Sequence, residues 1–263
     1  MARESLRWLG IAALGVVFAT LGVLVAAWAT PPPVAPVAEP VVVTVTTTAT
    51  AHPSSEAAPV ASPAGIDLTA YSIDDPESIW VVVNKTRPLT PLDFEPSDLT
   101  NVDVPGGGQL TREAAGALER MHDAAVDDGA PFRVSTSYRS YNFQKGLFND
   151  YARRFGAAKA DTFSARAGYS EHQTGLVLDV NDPSGCHLKK CFAETASGTW
   201  LIEHAADYGF IERYPDGKSE TTGYTWEPWH WRYVGADLAL YMRDQKIVTL
   251  EEVFGLPPAP DYN

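Results

Sequence analysis

Two histidines and two acidic residues in the C-terminal half of the chain have the types and spacing for metal-assisted hydrolysis. In "YSEHQTGLVLDV", Tyr169–Val180, His172 and Asp179 flank a Thr-Gly pair, and an apolar Leu-Val-Leu run leads into the Asp. If the chain turns at Thr174-Gly175, a strand can carry Asp179 back towards His172. "EPWHW" supplies Glu227 and His230, three apart with a Pro between them, so both can point the same way. Two imidazoles and a carboxylate form a catalytic zinc set that leaves a fourth position for water. Glu227 would then be the unligated carboxylate that takes the water's proton. Each residue also has a plainer reading. His230 between Trp229 and Trp231 suits a hydrogen-bonded core position, and Asp179 before Asn181-Asp182 suits a turn former. Spacing alone leaves both readings open.

Positioning such a set needs strands and turns around it. An apolar run with polar groups at both ends, as in Tyr169–Val180, has the pattern of a buried edge beside a site. "SIWVVVNKTRPLTPLDFEPSDL" opens the domain with a short β-branched run followed by Pro-punctuated loop. "TREAAGALERMHDAAVDDG" predicts a helix capped by Thr111, with Leu118, Met121 and Ala125 on one face and Gly129 as its stop. "PFRVSTSYRS" predicts a strand, and "YNFQKGLFNDYARRFG" a helix with Phe143, Leu147 and Tyr151 aligned. "GTWLIEHAADYGFIERYP" predicts a helix ending near Gly209 and then a short strand. "HWRYVG" predicts another strand, and "ADLALYMRDQ" a late helix. Strands and helices alternate irregularly, without the Gly-rich turns of a doubly wound nucleotide fold, so the fold class expected is α+β.

The N-terminal region sets the expected compartment. Residues 8–28 contain no charge, are long enough to cross a bilayer of roughly 30 Å, and carry Trp8 and Trp28 at their ends. Arg3 and Arg7 favour keeping the stub, 1–7, in the cytoplasm. The rival reading is a cleaved signal peptide, because Ala27-Trp28-Ala29 resembles a cleavage site. In either case the domain lies on the extracytoplasmic side, membrane-bound in the first reading and secreted in the second. Residues 29–65, rich in Pro, Ala and Thr, read as a disordered tether containing an inert His52. Residues 66–263 then form one domain with a sizeable core. Thirty-three acidic against 20 basic residues, a net charge of -13, exclude nucleic acid as a partner. Nothing in the chain specifies an oligomer, and a monomer is expected. The two cysteines, Cys186 and Cys191 in "CHLKKC", are expected to pair in an oxidising compartment. Metal binding by Cys186, His187 and Cys191 is the weaker reading, since no second Cys pair completes four ligands. His122 and His204 read as structural or exposed, and His187 as a residue near enough to the site to meet substrate.

"SARAGYSEHQTGLVLDV", "WLIEHAADYGFIERYP" and "TGYTWEPWHWRYVG" resemble the sequence blocks of VanY-type D-alanyl-D-alanine carboxypeptidases. These are zinc peptidases of the lysostaphin, D-Ala-D-Ala peptidase and hedgehog fold group. "VVVNKTRPLTPLDFEPSDL", "SYRSYNFQ" and "TLEEVFG" match in the same order, so the likeness runs from Ser78 to Gly255. The resemblance implies one compact zinc-peptidase domain with a small antiparallel sheet and flanking helices. It places zinc (Zn2+) on His172, Asp179 and His230, and the general base on Glu227. It also implies that Arg139 meets the substrate carboxylate or steadies an oxyanion, a task suited to a guanidinium fork. Gln144 and Ser170 match substrate-contacting positions. The implied partners are peptidoglycan stem peptides. The "CHLKKC" segment departs from the family and follows closely after Asp179, at a place where it could rim a cleft.

The reading expected from these motifs is removal of the terminal D-alanine from stem peptides. An L,D-carboxypeptidase acting on tetrapeptide stems is the near alternative. A non-catalytic wall-binding module is disfavoured by the complete ligand set with Glu227, and a structural zinc domain by the open fourth position. Serine chemistry is disfavoured too, because Ser137 and Ser170 lack an S-x-x-K pairing.

Overall fold

The computed structural model describes residues 65–262. The expected cytoplasmic stub, membrane helix and most of the tether lie outside the described residues. Among the described residues, no helix is long and apolar enough to cross a membrane.

Among the described residues, six strands and seven α-helices follow one another as β1 (Leu99–Asn101), β2 (Gln109–Thr111), α1 (Arg112–Asp127), β3 (Arg133–Thr136), α2 (Tyr141–Phe155) and α3 (Ala157–Ala160), then β4 (Val177–Asn181), α4 (Ala196–His204), β5 (Phe210–Glu212), α5 (Ser219–Thr222), β6 (His230–Tyr233), α6 (Ala236–Gln245) and α7 (Leu250–Val253). β1 and β2 form an antiparallel hairpin, and the other four strands form an antiparallel sheet in the order β3-β4-β6-β5. This is the expected α+β class. β4 is an interior strand of that sheet, so the sequence expectation of a buried edge is corrected: its apolar run is covered on both sides by β3 and β6.

Strand periodicity sorts this sheet into two faces. Leu178 and Val180 of β4, with Trp231 and Tyr233 of β6, join the main core together with Leu118, Met121 and Ala125 of α1. The intervening residues, Asp179 and His230, are direct cross-strand partners and therefore share the opposite face. A second core, around Trp80, Ile211, Leu238, Met242 and Leu250, joins β5, α6 and α7.

The β-branched run Trp80–Val83 is buried outside any strand: the Val81 and Val82 amides donate to the Ser78 and Ile73 carbonyls at 3.1 and 3.0 Å, and the Val81 carbonyl accepts from Arg232 Nη2 at 2.9 Å. Two expectations need correction. Thr111 does sit at the start of α1, yet its side chain makes no capping bond. In α2 the buried residue is Gln144, whereas Phe143 is 60% exposed, so the aligned aromatic face is not the packed one. The α1 stop is as expected, with Gly129 at φ 75°.

Gly106 lies in the β1–β2 connection, where a Cβ would fall 2.0 Å from the Val134 carbonyl oxygen. Only a glycine lets that loop approach β3 so closely.

Candidate active site

The segment before β4 turns as its residues require. Glu171–Thr174 forms one 3-10 turn, and Gly175 ends it at φ 67°, a left-handed conformation that favours glycine. The Thr174 hydroxyl donates to the Glu171 carbonyl at 2.7 Å and accepts from the Leu176 amide at 3.2 Å. His172 is thereby folded back over β4. On the next strand, a tight turn at "EPWH", closed by the His230 amide on the Glu227 carbonyl at 3.0 Å, holds those two side chains together.

His172, Asp179 and His230 are all buried and each offers one ligand atom, the three atoms lying within 4.8 Å of one another. Among the described residues this is the one group of three or more His, Cys, Asp or Glu arranged in that way. Distances within the set are 3.4 Å from His172 Nε2 to Asp179 Oδ2 and 3.2 Å from His230 Nδ1 to Asp179 Oδ1. His172 Nδ1 donates to the Ser137 carbonyl at 2.7 Å, which leaves Nε2 as the unprotonated nitrogen facing the set. Asp179 is steadied by the Thr136 hydroxyl, which donates to Oδ2 at 2.7 Å. His172 Nε2 and Asp179 Oδ1 are buried without a hydrogen-bond partner among the described residues. Buried orphan atoms of this kind are costly unless something binds them. Two converging imidazoles and a carboxylate suit a divalent cation.

A cleft of about 310 Å³ opens over the set and is lined also by Arg139, Ser170, Glu227 and Tyr214. Glu227 Oε2 lies 3.7 Å from His230 Nδ1. Burial pushes the Glu227 carboxyl up to about 8, with Asp179 adding to the rise and His230 and Arg139 opposing it. Burial also lowers His172 to about 4, helped by Arg139, so this imidazole is neutral at pH 7. His230 rises to about 9: its burial acts against the charge, but Asp179 and Glu171 outweigh it. Arg139 is held from the His172 side, its amide donating to the His172 carbonyl at 3.1 Å, and its Nε is buried without a partner among the described residues.

Of the other expected positions, Ser170 lines the cleft and Gln144 does not. The Gln144 amide instead donates to the Ala165 carbonyl at 2.6 Å, bracing a segment whose Ser164 and Ala165 form part of the wall. Cys186 and Cys191 are disulfide-bonded. His187 lies away from the cleft, against the Ser135 hydroxyl at 2.6 Å. His122 is buried, T-stacked on Phe132. His204 is partly exposed and tilted against Trp200.

Sequence reasoning gave no role to Glu171, which lies behind His230. Its Oε2 is 3.8 Å from His230 Nε2, past hydrogen-bond length, and neither atom has another partner among the described residues. The other oxygen accepts from Arg213 Nε and Arg232 Nη1, both at 2.9 Å. Burial would raise the Glu171 carboxyl, but the two guanidinium groups hold it well below the usual carboxylate range. Arg213 forks onto Glu251 of α7 at 2.8 and 2.9 Å, and Asn84 Nδ2 donates to the same carboxylate at 2.9 Å.

Such a site belongs with metal-dependent hydrolases, in which a protein-held cation and a free carboxylate share the activation of one water. The comparisons narrow that class. The VanY family profile, described as D-alanyl-D-alanine carboxypeptidase, matches residues 107–236. The Bacillus subtilis protein YodJ is 42% identical over 191 residues, 70% of this chain and 69% of the relative. The LdcB LD-carboxypeptidase structure matches with a TM-score of 0.64 and 41% identity, over 68% of this chain and 87% of that one. The vancomycin resistance D,D-pentapeptidase VanY, solved in complex with Zn(II), matches with a TM-score of 0.57 and 31% identity, over 66% of this chain and 97% of that one. The chain belongs to the VanY family of D-alanyl-D-alanine carboxypeptidases, and it is a peptide hydrolase.

Proposed function

We propose that this chain is a zinc-dependent carboxypeptidase that removes the C-terminal D-alanine from peptidoglycan stem peptides. The observation that carries the reading is the convergence of buried ligand atoms from His172, Asp179 and His230 in a cleft that also holds Glu227 and Arg139. When bound by those three residues, zinc would lower the pKa of a water towards ~7 and polarise the scissile carbonyl. Glu227 takes the proton of the attacking water and returns it to the leaving D-alanine amine. Arg139, with a buried Nε that has no partner among the described residues, receives the substrate's terminal carboxylate or steadies the developing oxyanion. Ser170 offers its hydroxyl to the bound peptide, and Gln144 acts one step back by holding the Ser164–Ala165 wall.

The L,D reading is favoured by one observation: the LD-carboxypeptidase LdcB aligns at higher identity and TM-score than the D,D-pentapeptidase VanY. Residues 8–28 supply the proposed anchor, with the domain outside the cytoplasmic membrane as a monomer.

The test is D-alanine release, followed by mass, from muramyl pentapeptide and muramyl tetrapeptide by the full chain, with zinc and with chelator. Zinc-dependent loss from the pentapeptide alone is the expected result. Loss from the tetrapeptide alone moves the enzyme to the L,D class, and loss from neither refutes the proposal.

A further inference from the structure

We propose that the disulfide loop Cys186–Cys191 holds Leu188 as a specificity wall for the acyl side of the substrate, the residues that precede the scissile bond. The inference rests on the reading of Arg139 as the receiver of the terminal carboxylate.

Leu188 lines the same cleft as His172, Asp179 and Glu227. It has φ 47°, and only one other described non-glycine residue, Lys246, has a positive φ. It is also a large apolar side chain left 40% exposed. A branched residue keeps such a backbone only where its surroundings enforce it. Here the enforcement is visible on several sides. The disulfide closes the loop with its Cα atoms 5.6 Å apart. His187 is hydrogen-bonded to Ser135 of β3, one residue from the Thr136 that steadies Asp179. The Lys190 ammonium sits 5.6 Å from the centre of the Trp226 ring, next to Glu227 in sequence. Cys186 packs against the main core.

The strand directions place this wall. β3 and β4 are antiparallel, with Arg133 opposite Asn181 and Thr136 opposite Asp179. Arg139 follows the end of β3 and is tied to His172, so it lies towards the start of β4. The loop follows Asn181, at the other end of β4, and reaches Ser135. Asp179 and its two histidine partners therefore stand between Arg139 and Leu188. A peptide whose terminal carboxylate meets Arg139, with its scissile carbonyl over the metal ligands, runs on towards Leu188. The ligand chemistry implied there is a small apolar side chain or an aliphatic stem, at the last-but-one or last-but-two residue.

A cycle between protein and substrate variants tests this, using the full chain loaded with zinc. Wild type, Leu188→Ala and the pair Cys186→Ser/Cys191→Ser are each given the stem peptide that wild type cleaves. Each is also given three analogues, with Gly at the last position, Gly at the last-but-one position or Ala at the last-but-two position. Leu188→Ala is expected to shrink the penalty for one of the two acyl-side changes by about tenfold in kcat/KM. The penalty at the last position should stay as in wild type, with zinc content unchanged. The serine pair should reproduce that pattern, because Leu188 is no longer held. Equal penalties in all three proteins, or a change confined to the last position, would overturn the proposal. Wild-type selectivity in the serine pair would remove the disulfide's part in it. If wild type cleaves no stem peptide, it is the proposed function that fails, and this inference fails with it.

Discussion

In the proposed base role Glu227 has to be ionised to accept a proton, yet burial pushes its carboxyl up to about 8. A divalent cation on the neighbouring ligand set favours the carboxylate, so base and metal are interdependent. Glu227→Ala should keep zinc and lose kcat by about 10²–10⁴-fold. Near-normal turnover would remove Glu227 from the base role. Without metal, the same groups make stability depend on pH. Glu227, ordinarily 4.5, and His230, ordinarily 6.5, titrate higher in the folded protein, at about 8 and about 9. Their contribution is present below the ordinary values and is lost as pH rises through the folded ones. His172 is lowered to about 4, so its contribution is present above its ordinary 6.5 and is lost on acidification. Thermal melts of chelated protein should therefore show Tm falling between pH 7 and pH 9. A flat profile there would contradict these titrations.

Between the residues and the fold stands the buried network of Glu171, Arg213, Arg232 and Glu251, whose side chains are fully buried. It links Glu251 of α7 to Arg213, the residue after β5, and through Glu171 to Arg232 of β6, and it presents Glu171 behind the imidazole of His230. Outer carboxylates of this kind orient a metal-bound histidine and raise its basicity. Glu251→Gln leaves the Arg213 charge short of a partner in the interior, at a cost of about 3–5 kcal/mol. Denaturant unfolding should register that loss. Zinc affinity should fall by about 10–100-fold if the disturbance reaches His230 through Glu171. Unchanged stability and affinity would mean that the network only fills space. None of this was legible in the sequence, for a physical reason. An arginine or glutamate reads as solvent-facing until its partners are known, and those of Glu171 come from residues 42 and 61 positions away. By contrast, Asp179 and His230 stood out by residue type and spacing, and their cross-strand pairing accounts for their sharing one face. The 3-10 turn was half legible: Gly175 marked its end, but nothing marked Glu171 as the residue aimed at the second histidine. The Trp80–Val83 run showed its apolar pattern in the sequence but not its hydrogen-bond partners, which lie at Ile73, Ser78 and Arg232.

At the scale of the molecule, the proposed metal set would act as a clasp. His172 comes from the turn before β4, Asp179 from β4 and His230 from β6, so a bound ion joins segments that are separate along the unfolded chain. An ion that binds the folded chain alone stabilises it by mass action, by about 2.7 kcal/mol at a hundred times its Kd. For a domain of this size each kcal/mol moves Tm by about 2–4 °C. Zinc should therefore raise the Tm of chelated protein by about 5–10 °C. Glu227→Ala, which leaves all three ligands in place, should keep that shift while turnover disappears. His172→Ala should lose both, because it removes one of the orphaned ligand atoms. Parallel melts and D-alanine assays on the three proteins separate the outcomes. A zinc shift that survived His172→Ala would place the ion elsewhere. A shift lost in Glu227→Ala would make that carboxylate a ligand, leaving the attacking water without the base assigned to it.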